Sequence, residues 1–205
     1  MCGFIGYIVE KDNYKDELNG KFDFYHSKMI HRGPDFQTTL KSESNNIIGR
    51  FGFSRLAIQD LSNNANKIFK NDKFLLLFNG EIYNKIKLIT KYLSKEKLET
   101  TNDTEVLFKL LNNLGTKVIS EIEGIFSIVF YDIYNSNIYM IRDYTGTKPL
   151  YYSKHNKNLY FSSEAWFLYS LSKKKLDNEC LNFYFRYGFS PNSKTLIQNV
   201  LKVKP

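Results

Sequence analysis

The 205 residues are 42 % hydrophobic and include 17 Phe and 15 Tyr, which excludes a disordered chain and supports one sizeable core. No apolar run approaches the ~20 residues that cross a bilayer, and Glu10, Lys11 and Asp12 cut short the opening apolar stretch with no basic region before it, so no membrane span and no signal peptide are read and a cytoplasmic location is expected. The charge of +8 comes from scattered lysines, 24 against 5 arginines, which reads as a solvated surface and gives no expectation of a nucleic-acid partner.

In chain order, "FIGYIV" (Phe4 to Val9) predicts a buried strand almost at the terminus. A short amphipathic segment follows around Phe22 to Ile30, then a Gly-Pro turn in "HRGPDFQ" (His31 to Gln37). "IIGRFGFSRLAI" (Ile47 to Ile58) is rich in strand formers, with glycines that suggest close backbone approach. "KFLLLFNGEIYN" (Lys73 to Asn84) reads as a strand running into an Asn-Gly turn. Apolar residues at 86, 89 and 93 predict one helix. Residues 106, 107, 110 and 111 predict a second, with Asp103 or Thr104 as N-cap and Gly115 as stop. "VISEIEG" suggests one more helical turn. "IFSIVFYD", "NIYMIRD", "PLYYS" and "NLYFSSE" read as antiparallel hairpins. "EAWFLYSL" and "LDNECLNFYFRYG" read as covering helices, with Lys173 to Lys175 as the loop between them. Blocks of strands and blocks of helices imply an α+β layered fold. The last stretch spaces Leu196, Val200 and Val203 as if to meet a surface supplied from outside.

Cys2 and Cys180 are too few for a disulfide framework, and neither has metal-ligand spacing. His26, His31 and His155 stand apart, so no metal site is expected in this chain. Cys2 has a chemistry of its own. Once Met1 is removed, Cys2 carries a thiol and a free α-amine whose ordinary pKa is about 7.7–8.0, a nucleophile and its base in one residue. A chance cysteine after Met1 fits equally well. "NGE" (Asn79, Gly80, Glu81) offers an amide side chain and a backbone N–H side by side, the parts of an oxyanion hole, and also those of an ordinary hairpin turn. Arg55 suits a carboxylate; Glu81 and Asp103 suit an ammonium. A surface Arg55, a solvated Glu81 and a helix-capping Asp103 are the alternatives.

"MCGFIGY", "HRGPD", "FSRLAIQDLS", "NGEIYN", "NDTEV", "GIFSIVFYD", "RDYTGTKPLYY" and "FSSE" occur in this order, from Cys2 to about Glu164. Together they resemble the glutaminase domain of class II glutamine amidotransferases, in the asparagine synthetase branch. The resemblance implies an N-terminal nucleophile hydrolase fold, a four-layer αββα sandwich of two antiparallel sheets. It implies a glutaminase domain over 1–170, with 171–205 the start of a linker or helical segment toward a synthetase domain. It places the nucleophile on Cys2 and the oxyanion hole on Asn79 and Gly80. The substrate's α-carboxylate would meet Arg55. Its α-amine would meet Asp103 and Glu81, with backbone carbonyls near Ile58 and Gln59. "HRGPD" (His31 to Asp35) resembles the loop flanking that pocket, and "RDYTGTKPLYY" (Arg142 to Tyr152) a structural segment facing the partner domain. Cys180 matches nothing in the pattern and reads as packing.

The implied reaction is hydrolysis of L-glutamine to glutamate and ammonia through a cysteinyl thioester, the ammonia passing to an ATP-dependent amide-forming domain. This chain holds no phosphate-binding loop of the kind that domain needs. A fragment is therefore expected, with no cofactor here and ATP and Mg expected only in the absent domain. The implied partners are L-glutamine and that C-terminal synthetase domain, and a homodimer is compatible. Two alternatives stand beside it: amidation of a sugar acid in surface polysaccharide synthesis, and a catalytically silent interaction domain of the same fold.

Overall fold

The computed structural model describes residues 2–44 and 46–205. Met1, whose removal the sequence reading expects, lies outside the described residues. Strand alternation sorts the apolar side chains into layers. In β1 (Gly3–Glu10), Ile5, Tyr7 and Val9 face one way, while Phe4 and Ile8 face the other. β1 lies between β3 (Ile47–Arg55) and β9 (Asn158–Ser162) in a six-stranded antiparallel sheet completed by β2 (Phe36–Ser44), β8 (Tyr151–His155) and β10 (Leu201–Lys202). The second sheet is antiparallel and four-stranded, in the order β4 (Phe69–Lys70), β5 (Phe74–Ile82), β6 (Gly124–Asp132), β7 (Asn137–Arg142).

Three apolar layers hold this arrangement. Phe4, Phe51, Phe53 and Phe161 of the first sheet meet Leu75, Leu77, Val129 and Tyr131 of the second. Outside the first sheet, Ile5 and Tyr7 pack on Phe22 of α1 (Asp16–Lys28) and Phe167 of α4 (Trp166–Leu171). Outside the second, Leu76, Phe78 and Ile82 pack on Leu88 of α2 (Lys85–Tyr92) and on Val106, Leu107, Leu110 and Leu111 of α3 (Asp103–Leu114). The order helix, sheet, sheet, helix is the expected αββα sandwich. Each fully buried Leu or Phe here contributes about 1.5–3 kcal/mol of transfer free energy.

The two hairpins β6–β7 and β8–β9 form as expected, their turns using positive φ at Ser136 and Asn156. α5 (Asn178–Tyr187) follows, capped by the Asp177 side chain, and "VISEIEG" lies largely within a 3-10 turn over 115–121. Four expectations change. Asn79 and Gly80 lie inside β5, not in a turn. The first helix begins at Asp16, because Leu18 and Phe22 bury one stripe through an otherwise polar stretch that includes Gly20. The N-cap of α3 is Asn102, whose Oδ1 accepts from Thr104 N–H at 2.7 Å. The terminal stretch finds its surface within the chain: β10 pairs with β8, Val200 is buried, and Val203 packs into the middle layer.

Candidate active site

The same alternation that fills the middle layer delivers the polar site. Phe51 and Phe53 are followed on their face of β3 by Arg55; Leu75 and Leu77 on theirs by Asn79. Phe4 is preceded on its face by Cys2, which packs against the same layer. Three inward-facing rows thus change from apolar to polar at one end of the sandwich. They line a cleft of about 200 Å³ together with Ile58, Gln59, Asp60, Gly80, Glu81 and Asp103. Every site residue expected from the sequence is in that lining.

Cys2 is held from two sides. Its Sγ accepts from Leu56 N–H at 3.4 Å and approaches Leu56 O at 3.7 Å. Arg32 Nε and Nη2 each donate to the Cys2 carbonyl at 3.2 Å. The "HRGPD" loop supplies this clamp and its support. Arg32 Nη1 reaches Glu164 Oε1 at 3.4 Å, and His31 Nε2 lies 2.7 Å from the same oxygen. The Glu164 bond, with the Lys28 carbonyl at Nδ1, pushes the His31 pKa up. Asp35 Oδ2 accepts from Ala57 N–H at 2.7 Å and so fixes the strand end beside Leu56.

Asn79 is 2 % exposed, and among the described residues its Nδ2 has no hydrogen-bond partner. A buried unpaired N–H costs about 1–3 kcal/mol, so a cleft-lining orphan donor reads as one reserved for something that binds. Gly80 adds a second donor. Phe126 uses both backbone groups on its β7 side, to Asp143 Oδ2 (3.0 Å) and from Asp143 N–H (2.9 Å). Its register partner Gly80 therefore points its own N–H away from β6. β4 reaches only Leu75 and Leu76, so that edge of β5 is open. Two residues on, Ile82 N–H faces the same way and donates to Asp103 Oδ2 at 2.8 Å.

Glycine at position 80 is a packing requirement as well. A Cβ there would lie 2.2 Å from Ile125 O and 2.6 Å from Phe126 Cα, both backbone. Gly80→Ala is expected to cost about 1–3 kcal/mol of stability, as overpacking generally does, and a denaturant midpoint measures it.

Arg55 is 4 % exposed and is held by two acceptors, Asn66 Oδ1 at 2.6 Å and the Asp60 carbonyl. Its side chain is thus preset at the cleft wall. Asp60 accepts from Ser62 N–H and Thr101 N–H, both at 2.8 Å. Hydrogen bonds from Ser62, and then from Thr101, outweigh burial and pull its pKa down to about 2. A carboxyl depressed in the folded state stabilises above its unfolded pKa near 4 and loses that contribution as pH falls toward 2. Melting temperature is therefore expected to drop between pH 4 and 2, and Asp60→Asn to flatten that slope.

Asp103, expected as either a helix cap or an ammonium ligand, does not cap. It sits in the first turn of α3 with its carboxylate turned back to β5. Glu81 is exposed at the cleft mouth and accepts from Gln59 Nε2 at 3.2 Å; Ile58 is 74 % exposed beside it. The residues that sequence reasoning missed are the supports: Arg32, Leu56, Asp60, Asn66 and Thr101, together with Lys85. Arg32 lies in "HRGPD", and Leu56 and Asp60 in "FSRLAIQDLS", but neither stretch said what those residues hold. Cys180 is fully buried, and burial raises its pKa. A larger cleft of about 390 Å³ between Tyr25, His31, Glu164 and Trp166 contains none of the expected site residues.

Comparison with known proteins agrees with this geometry. A family model described as "Glutamine amidotransferase domain" matches residues 1–205. Asparagine synthetase [glutamine-hydrolyzing] 1 of Bacillus subtilis is 32 % identical over 212 residues, covering 100 % of this chain and 32 % of its own length. Putative asparagine synthetase 2 of Methanocaldococcus jannaschii is 30 % identical, with 100 % and 42 % covered. The chain thus spans well under half of the curated relatives it resembles. Among solved structures, the B. subtilis glutamine phosphoribosylpyrophosphate amidotransferase superposes with a TM-score of 0.64 at 16 % identity, over 82 % of this chain and 43 % of that one, and shares its fold. The cleft with Cys2 at the strand end, the αββα sandwich around it and the family match over residues 1–205 place this chain in the glutamine amidotransferase domain family.

Proposed function

We propose that this chain hydrolyses L-glutamine to glutamate and ammonia at Cys2, and that the ammonia feeds an amide-forming synthetase domain of the asparagine synthetase type. The observation that carries this reading is the convergence of a thiol, an orphan buried amide N–H, an outward backbone N–H, an arginine and a carboxylate on one small cleft. At about 200 Å³ the cleft is below the ~300–1,000 Å³ of drug-sized ligand sites and suits a single amino acid.

The α-carboxylate meets the Arg55 guanidinium, and the α-ammonium meets Asp103, Glu81 and nearby backbone. The side-chain amide then lies between Cys2 Sγ and the donors of Asn79 and Gly80. The free α-amine of processed Cys2 takes the thiol proton as sulfur bonds to the amide carbon. The carbonyl oxygen gains the electron pair and is stabilised by Asn79 Nδ2–H and Gly80 N–H. The same ammonium protonates the leaving nitrogen, the C–N bond breaks, and ammonia and a thioester result. Water, deprotonated by the amine, attacks the thioester and releases glutamate and the free thiol. ATP and Mg would serve only the synthetase domain.

Arg55→Ala is expected to raise KM and lower kcat/KM by roughly 10²-fold with a smaller fall in kcat, since a charge-assisted bond is worth about 1.5–3 kcal/mol and the guanidinium grips the unreacting end. Steady-state ammonia release measures it. A fall confined to kcat would contradict the binding role. Ammonia release from glutamine by the processed chain tests the reading as a whole. Inert protein with Met1 removed would refute it.

A further inference from the structure

Lys85, the first residue of α2, belongs to no expected site position and does not itself line the cleft, yet its ammonium contacts two residues that do, Asp103 and Gln59. Its Nζ is 2.6 Å from Asp103 Oδ1 and donates to Thr101 O at 2.9 Å and Gln59 Oε1 at 3.3 Å. Its side chain is 23 % exposed, that of Asp103 only 5 %. Asp103 Oδ2 is committed to Ile82 N–H, whereas Oδ1 is buried and has no hydrogen-bond partner among the described residues, so it is the oxygen left for a cation, and Lys85 forms an ion pair with it.

A lysine ammonium and an amino acid's α-ammonium are the same chemical group, three donors and no acceptor. We propose that Lys85 is a specificity-determining residue that competes from within the chain for the Asp103 subsite, so that an amino-acid substrate binds only as Lys85 withdraws. This rests on the glutamine reading above. Withdrawal is sterically free, because the four-carbon stem is flexible and starts from the end of a helix, and the incoming ammonium replaces the charge that Asp103 would otherwise lack. When the open arrangement is a minor fraction of the population, the apparent affinity falls by that fraction. The loss applies only to ligands that need Oδ1. A substrate without an α-amine never displaces Lys85. The unmodified chain therefore favours glutamine over its deaminated analogue less than the bare subsite would.

The test compares kcat/KM for L-glutamine and for glutaramic acid, the same molecule without its α-amine. Lys85→Met is expected to lower the KM for glutamine roughly five- to tenfold, the tax of a 10–20 % open population, and to raise the glutamine-to-glutaramate ratio by the same factor. Lys85→Arg keeps a cation and is expected to keep the wild-type ratio. Lys85→Gln repeats the measurement should the Met variant not fold. An unchanged ratio, equal changes for both substrates, or a rise in the glutamine KM would overturn the proposal while leaving the glutamine reading intact. No turnover of glutamine by the wild-type chain would remove both.

Discussion

Cys2→Ala is expected to lower kcat for glutamine by on the order of 10⁴–10⁶ and to leave the fold intact, the scale on which losing a nucleophile acts elsewhere. Among the described residues, the middle-layer contact and the two contacts with Leu56 are what depend on the side chain. The Arg32 clamp acts on the backbone carbonyl, so the terminal residue stays in place. Cys2→Ser is expected to be nearly as inactive, since a hydroxyl is a far weaker nucleophile against an amine base. Both variants should still bind glutamine, which calorimetry reads directly. A Cys2→Ser enzyme within tenfold of wild-type turnover would show that sulfur does not attack.

Asn79→Ala is expected to lower kcat by roughly 10²–10³ with little change in KM, the usual effect of losing one oxyanion donor. The same change should not cost stability in proportion to its depth. Asn79 Nδ2 is buried without a partner among the described residues, so deleting it relieves an unsatisfied donor worth about 1–3 kcal/mol and offsets the lost packing. An inactive variant with a melting temperature near wild type is the signature of a residue kept for chemistry. A change in KM alone would withdraw the oxyanion role.

The α+β layering was legible from blocks of strand formers and helix patterns, and the sandwich from the family resemblance. Which side chains face inward was not, because "FLLLF" in β5 is apolar on both faces: Leu75 and Leu77 turn to the middle layer with Asn79 beyond them, and Leu76 and Phe78 to the helices. The Asn-Gly pair misled for a physical reason. It is a strong hairpin signal in isolation, and only the passage of β6 at 2.2 Å from a would-be Cβ shows why glycine is needed inside a strand. Asp103 looked like a cap because it opens a helix; the partner that turns it away, Ile82 N–H, is 21 residues distant. Asp60 and Thr101, 41 residues apart, and Arg32 and Cys2, 30 apart, meet through loops that no periodicity describes. Residues that line the cleft could be read from their types and order. Its supports could not, because they are set by chain closure.

The most direct test of the account is to treat the processed chain with an electrophilic glutamine analogue and map the adduct by peptide mass spectrometry. The account predicts one adduct, on Cys2, formed in step with loss of ammonia release and slowed by excess glutamine. Cys180 should remain unmodified, being fully buried with a raised pKa. An adduct on Cys180 with Cys2 free, or inactivation without any adduct on Cys2, would contradict it.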